Sequence, residues 1–108
     1  MSDLVQIIAS ESEFETLMQS GVVLVDFFAQ WCGPCKRQVP ILEMVAADVA
    51  GKAKVVKVDT DALSGLAQRF DISSIPTLIV FKNGQVVNRF IGLQQSDTLK
   101  NTLLKAAQ

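Results

Sequence analysis

An α/β fold, with a mixed sheet covered by helices and an antiparallel edge, is what this sequence predicts, and three observations predict it. Strand-like runs alternate with helix-like runs along most of the chain. One of them, "VVLVDFF" (22–28), is almost continuously apolar, as a strand covered on both faces requires. Near the end the alternation stops: "TLIVF" (77–81) and "QVVNRFI" (85–91) flank "KNG" (82–84), and Asn-Gly is a strong hairpin turn.

Taken in order, "LVQII" (4–8) reads as a short strand. Ser10 and Glu13 then have capping-box spacing for a helix running to about Ser20, which Gly21 ends. The 22–28 run is expected to be the central strand. A helix from about Pro34 to Val49 follows, with Ile41, Leu42, Val45 and Val49 on one face, a kink at Pro40 and a stop at Gly51. "AKVVKVD" (53–59) is a third strand and "ALSGLAQRF" (62–70) a short helix. After the hairpin, Ser96 is placed to cap a last helix whose apolar stripe is Leu99, Leu103 and Ala106 or Ala107. The order is βαβαβαββα.

A chain of 108 residues with 49% apolar content reads as one domain, 1–108, with a modest core of its own. The formal net charge is −1 and no basic run occurs, so nucleic acid and membrane surfaces are not expected partners. The start, "MSDLVQIIASESEFE", carries an acid at Asp3 and no basic segment before an apolar core. No apolar run approaches the roughly 18 residues of a membrane span. A soluble, cytoplasmic protein is the expectation. Histidine is absent, which removes His general bases, Cys-His metal sites and Ser-His nucleophiles.

Both cysteines stand in "FFAQWCGPCKRQVP" (27–40), separated only by Gly33 and Pro34. The turn joins the end of the most buried strand to the start of the second helix, where chemistry in open α/β sheets tends to sit. A spacing of three at a helix start puts Cys32 and Cys35 on one face, within reach of a disulfide. Gly33 leaves the approach to sulfur open, and Pro34 suits the first helical turn, where its missing N–H would be unpaired anyway. Cys32 faces the free N–H groups of the helix start, which stabilise a thiolate; Cys35 sits one step further in. Cys32 is therefore read as the nucleophile and Cys35 as the resolving thiol. The competing readings are an inert pair or half of a zinc site, and for zinc the chain lacks further Cys or His ligands. No metal site is expected.

Asp26 is out of place inside "VVLVDFF", because burying an ionised carboxylate is costly. From the residues alone it is either a rim aspartate paired with a lysine or a buried functional group.

The chain resembles the thioredoxin family along its full length. The resemblance rests on "WCGPCK" (31–36), the aspartate in "VDFFA" (25–29), "SIPT" (74–77), "FKNG" (81–84) and Gly92 after the last strand, in the family's order and spacing. It implies a thioredoxin fold, a five-stranded mixed sheet flanked by four helices, with a cis peptide before Pro76. It also implies protein-disulfide reduction by dithiol–disulfide exchange with no dissociable cofactor. The implied partners are disulfide-containing substrate proteins and a flavin-containing, NADPH-dependent thioredoxin reductase; a monomer is expected.

By the same resemblance Asp26 is a buried carboxylate of raised pKa that exchanges a proton with Cys35. Lys57, in "VVKVD", pairs with it across neighbouring strands or simply faces solvent, since alternation sends it away from Val56 and Val58. Ile75 would offer backbone to an extended substrate chain, and Trp31, Ile75, Pro76, Gly92 and Leu93 would line its path. Lys36 either supports the thiolate or is a plain helix lysine. Many family members carry a second Trp at position 28 and Glu at position 30. Phe28 and Gln30 stand there in this chain, neither expected to touch the sulfurs. Two other classes remain open: an exported disulfide oxidase or isomerase, and a non-catalytic binding module on the Trp31, Ile75 and Gly92 surface. Histidine between the cysteines is common in the oxidising relatives, so Gly33-Pro34 fits reduction better.

Overall fold

A computed structural model describes residues 4–108; Met1 to Asp3, and with them the acid at Asp3, lie outside the described residues. The chain runs β1 (Val5–Ile7), α1 (Glu11–Leu17), β2 (Val22–Phe28), α2 (Gly33–Asp48), β3 (Lys54–Asp59), α3 (Ser64–Arg69), β4 (Thr77–Lys82), β5 (Gln85–Ile91) and α4 (Ser96–Ala106). The strands form one sheet in the order β1-β3-β2-β4-β5, with β2 in the middle. β3 is parallel to both β1 and β2, while β4 and β5 are antiparallel additions.

The apolar run of β2 is explained by its two coats. Val23, Val25 and Phe27 pack with Phe14, Met18, Leu66 and Phe81 on the α1 and α3 side, where Phe70 stacks edge-on to Phe81. Val22 and Leu24 face Leu42, Val45, Leu99 and Leu103 of α2 and α4. Asp26 has the parity of Val22 and Leu24, so its carboxylate is on the α2 side.

Local signals place the turns. Ser10 Oγ accepts the Glu13 N–H at 3.1 Å, while the Glu13 carboxylate reaches one residue beyond the usual box partner, to Ala9 N–H at 2.7 Å. The helix ends at Leu17, short of Ser20, because the Gln19 N–H turns back to Thr16 and the chain is drawn toward β2. Asn83 and Gly84 both have positive φ, 52° and 83°, as a two-residue hairpin turn requires. Asn83 also ties this turn to Gly21, its Oδ1 accepting the Gly21 N–H at 2.8 Å.

One capping expectation is corrected. Ser96 does not cap α4: it is the first helical residue, Gln95 holds the cap position, and no side chain bonds the end. α2 runs through Pro40 to Asp48, one residue short of Val49, with Pro40 on an exposed part of the helix.

Candidate functional site

β2 ends in a buried stretch, Phe28 and Ala29, from which a short turn delivers Cys32 to the N-cap of α2. The Cys32 N–H donates to the Ala29 carbonyl at 3.2 Å, and the Cys32 sulfur accepts the Cys35 N–H at 3.2 Å. A cysteine thus fills the role usually taken by Ser or Asp at a helix start, its sulfur aimed at unpaired donors. Cys32 and Cys35 form a disulfide with Cα atoms 5.3 Å apart, in the ordinary range for such a bond. Both are nearly covered, at 5% and 3% exposure, so accessibility separates them little and their positions separate them more. Gly33 and Pro34 are exposed, and a Cβ built on Gly33 meets nothing within 4 Å, so the outer side of the turn is open.

The loop before β4 closes the other side. The Ile75–Pro76 peptide is cis, Pro76 is buried, and the Ile75 carbonyl oxygen lies 3.9 Å from the Cys32 sulfur. Ile75 packs on a small apolar cluster of Phe28, Ala29, Cys32 and Cys35. Gly92, at φ +92°, donates its N–H to the Pro76 carbonyl at 2.8 Å. A Cβ there would meet no atom of the chain within 4 Å, so what glycine supplies is the left-handed backbone and an unobstructed surface. Trp31 is 72% exposed, and its indole N–H donates to Asp61 Oδ2 at 3.0 Å.

Beneath this pair, Asp26 is fully buried, and among the described residues neither of its oxygens has a hydrogen-bond partner. Burial pushes its pKa from 3.8 up to about 7, against the opposing pull of the Lys57 charge. Lys57 is directly in register with Asp26 on the neighbouring strand, half-buried, with its ammonium 4.5 Å from the centre of the Phe28 ring. It is neither salt-bridged to Asp26 nor freely solvated. Lys57 and Cys35 line a cleft together with Phe28, Gln30, Lys36 and Val39. Lys36 is exposed on the first turns of α2.

The fold therefore gathers Cys32, Cys35, Ile75, Pro76 and Gly92 at one end of β2, with Asp26 and Lys57 below. Phe28, expected to stand clear of the sulfurs, belongs to the same buried cluster as both cysteines, because it shares the parity of Asp26 and so faces the start of α2. Gln30 does point elsewhere, donating to Asp59 Oδ2 at 3.4 Å. Sequence reasoning missed Asp61 as the partner of Trp31, for which no local signal exists. It also missed Gln38, which bonds Gln94 from inside the apolar face of α2. A lone polar residue in the stripe Cys35, Leu42, Val45 was the available clue.

The Thioredoxin family model matches residues 5–105. A thioredoxin from Staphylococcus aureus is 47% identical over 96 residues, covering 89% of this chain and 92% of its own. Among solved structures, a mutant thioredoxin from Halobacterium salinarum NRC-1 superposes with TM-score 0.90 at 33% identity, covering 98% of this chain and 93% of that one. The oxidised thioredoxin of Plasmodium falciparum does so with TM-score 0.85 at 39% identity, covering 96% and 99%. With that match over nearly its whole length, and with a cysteine pair at the start of α2, the chain belongs to the thioredoxin family of thiol–disulfide oxidoreductases.

Proposed function

We propose that the chain reduces disulfides in protein substrates through the Cys32–Cys35 pair and is itself re-reduced by a flavin-containing, NADPH-dependent thioredoxin reductase in the cytoplasm. The observation that carries this reading is the redox pair at the α2 N-cap, set against the Ile75 carbonyl and the open Gly92 backbone. In the reduced chain Cys32 is the thiolate, held by the Cys35 N–H and the helix start. It attacks one substrate sulfur; the substrate S–S bond breaks, and the departing sulfur leaves as a thiolate that takes a proton from solvent.

Cys35 then gives its proton to the Asp26 carboxylate and, as a thiolate, attacks the Cys32 sulfur; the Cys32–substrate S–S bond breaks, and the second substrate sulfur leaves as a thiolate that takes a proton from solvent. The substrate gains two electrons and two protons, and the chain is left as the Cys32–Cys35 disulfide. An aspartate with pKa near 7 is matched to such an exchange at neutral pH. Lys57 tempers that pKa by its charge and shares the cleft with Cys35 and Lys36. Trp31, Ile75, Pro76 and Gly92 form the surface that receives the substrate chain, with Ile75 offering backbone for strand-like pairing.

Insulin disulfide reduction driven by dithiothreitol, comparing wild type with Cys32→Ser, tests the reading: turbidity should develop with the wild type only. Undiminished reduction by Cys32→Ser would end it. Partner binding that survives replacement of both cysteines, with no reductase activity in the wild type, would mark a binding module instead.

A further inference from the structure

Gln38 lies one turn beyond Cys35 and is fully buried, on a helix face that is otherwise apolar. Its amide is matched to a single partner: Nε2 donates to the Gln94 carbonyl at 2.9 Å and Oε1 accepts the Gln94 N–H at 2.8 Å. A side chain thus pairs with both backbone groups of one residue, as a neighbouring strand would. Gln94 turns its own side chain back to donate to the Gly92 carbonyl at 3.1 Å, and the Gly92 N–H donates to Pro76 at 2.8 Å. The segment 92–94 is therefore held at one end by the cis-proline loop and at the other by the helix that carries the cysteines. Filling the core alone would be met by an apolar side chain, but such a residue would leave the Gln94 N–H and carbonyl without these partners.

We propose that Gln38 is a positioning residue for substrate recognition. It fixes the 92–94 segment, and Gly92 with it, relative to the Cys32–Cys35 pair, and takes no part in the sulfur chemistry. The inference rests on reading the Gly92 surface as the substrate site. A small disulfide that needs only the sulfurs should not depend on Gln38, whereas a protein disulfide, whose flanking chain lies along Gly92, should.

Steady-state reduction of insulin and of dithiobis(nitrobenzoate), with amide exchange at the Gln94 N–H, tests this in wild type, Gln38→Met and Gln38→Leu. Gln38→Met keeps the volume and removes both bonds, which loosens the 92–94 segment, so its KM for insulin should rise about three- to ten-fold with kcat within about two-fold. Its rate with dithiobis(nitrobenzoate) should also stay within about two-fold, and Gln94 exchange should accelerate. Gln38→Leu, a second apolar replacement that also removes both bonds, should show the same split between the two disulfides and carries the test if Gln38→Met does not fold. Faster Gln94 exchange with an unchanged KM for insulin, or equal slowing with both disulfides, would reduce Gln38 to a structural brace. Failure of the wild type itself to reduce insulin would instead overturn the proposed function, and this inference with it.

Discussion

Asp26 and Lys57 occupy directly paired positions of β2 and β3, yet among the described residues they form no ion pair. The carboxylate is buried with no hydrogen-bond donor among the described residues, and the ammonium rests over the Phe28 ring. Shared register brings the two charges near enough for Lys57 to oppose the rise in the Asp26 pKa, while desolvation still dominates. The result is a carboxylate that titrates near neutrality instead of one locked into a salt bridge.

Removing the lysine charge should therefore push the Asp26 pKa above about 7. Lys57→Met keeps most of the stem over Phe28 while deleting the ammonium. Titrating the Asp26 carboxyl carbon by NMR in the oxidised protein checks the direction. A pKa that stays put or falls would mean that the Lys57 charge does not reach Asp26.

How much of this was legible in the sequence follows from the range of each signal. The hairpin was readable because Asn83 and Gly84 carry their own φ preferences, and β2 because a strand with two coats has no polar alternation. The cysteine pair was readable because its members are three residues apart at a helix start. The cis peptide was not, since an X-Pro bond by itself favours trans, and only the family resemblance reversed that expectation. Partners separated by tens of residues, Trp31 with Asp61 and Gln38 with Gln94, exist only once the sheet has assembled. Lys57 was half legible: alternation gave its face correctly, but not that α2 and Phe28 cover that face.

The two cysteines should divide their labour. Cys32 sits at the N-cap with the Ile75 carbonyl beside it, and Cys35 lies on the inner side of the turn. Cys32→Ser should lower insulin reduction at least about a hundred-fold, as loss of a nucleophile does. Cys35→Ser should instead accumulate mixed disulfides with substrate, visible as added mass on non-reducing gels. Equal trapping by both variants would sink the assignment.

Trp31 should report the redox state. It is the sole tryptophan, adjoins Cys32, and is anchored by one hydrogen bond to Asp61 from an otherwise exposed position. The disulfide lies one residue away, so its opening should change the emission between oxidised and dithiothreitol-reduced protein. Identical spectra would show that the Asp61 anchor isolates the indole from the sulfurs.

Asp26 should lower stability while assisting catalysis, so that replacing it separates the two. With a pKa raised from 3.8 to about 7, the folded state holds a proton that the unfolded state has lost across that window. The unfavourable contribution is absent below 3.8, grows as pH rises, and is complete above about 7, where the shift corresponds to about 4 kcal/mol. Asp26→Ala removes that contribution and leaves a small cavity. The oxidised variant should be about 1 to 4 kcal/mol more stable than wild type near pH 8 and little changed near pH 4, as read from denaturant melts. Using the oxidised form keeps thiol titration out of the comparison. In single-turnover experiments near neutral pH the same variant should release reduced substrate about ten-fold more slowly or worse, because Cys35 has lost its proton acceptor. A variant less stable than wild type at pH 8 would make Asp26 a well-solvated or well-paired carboxylate, and its role as proton acceptor would lose its physical basis.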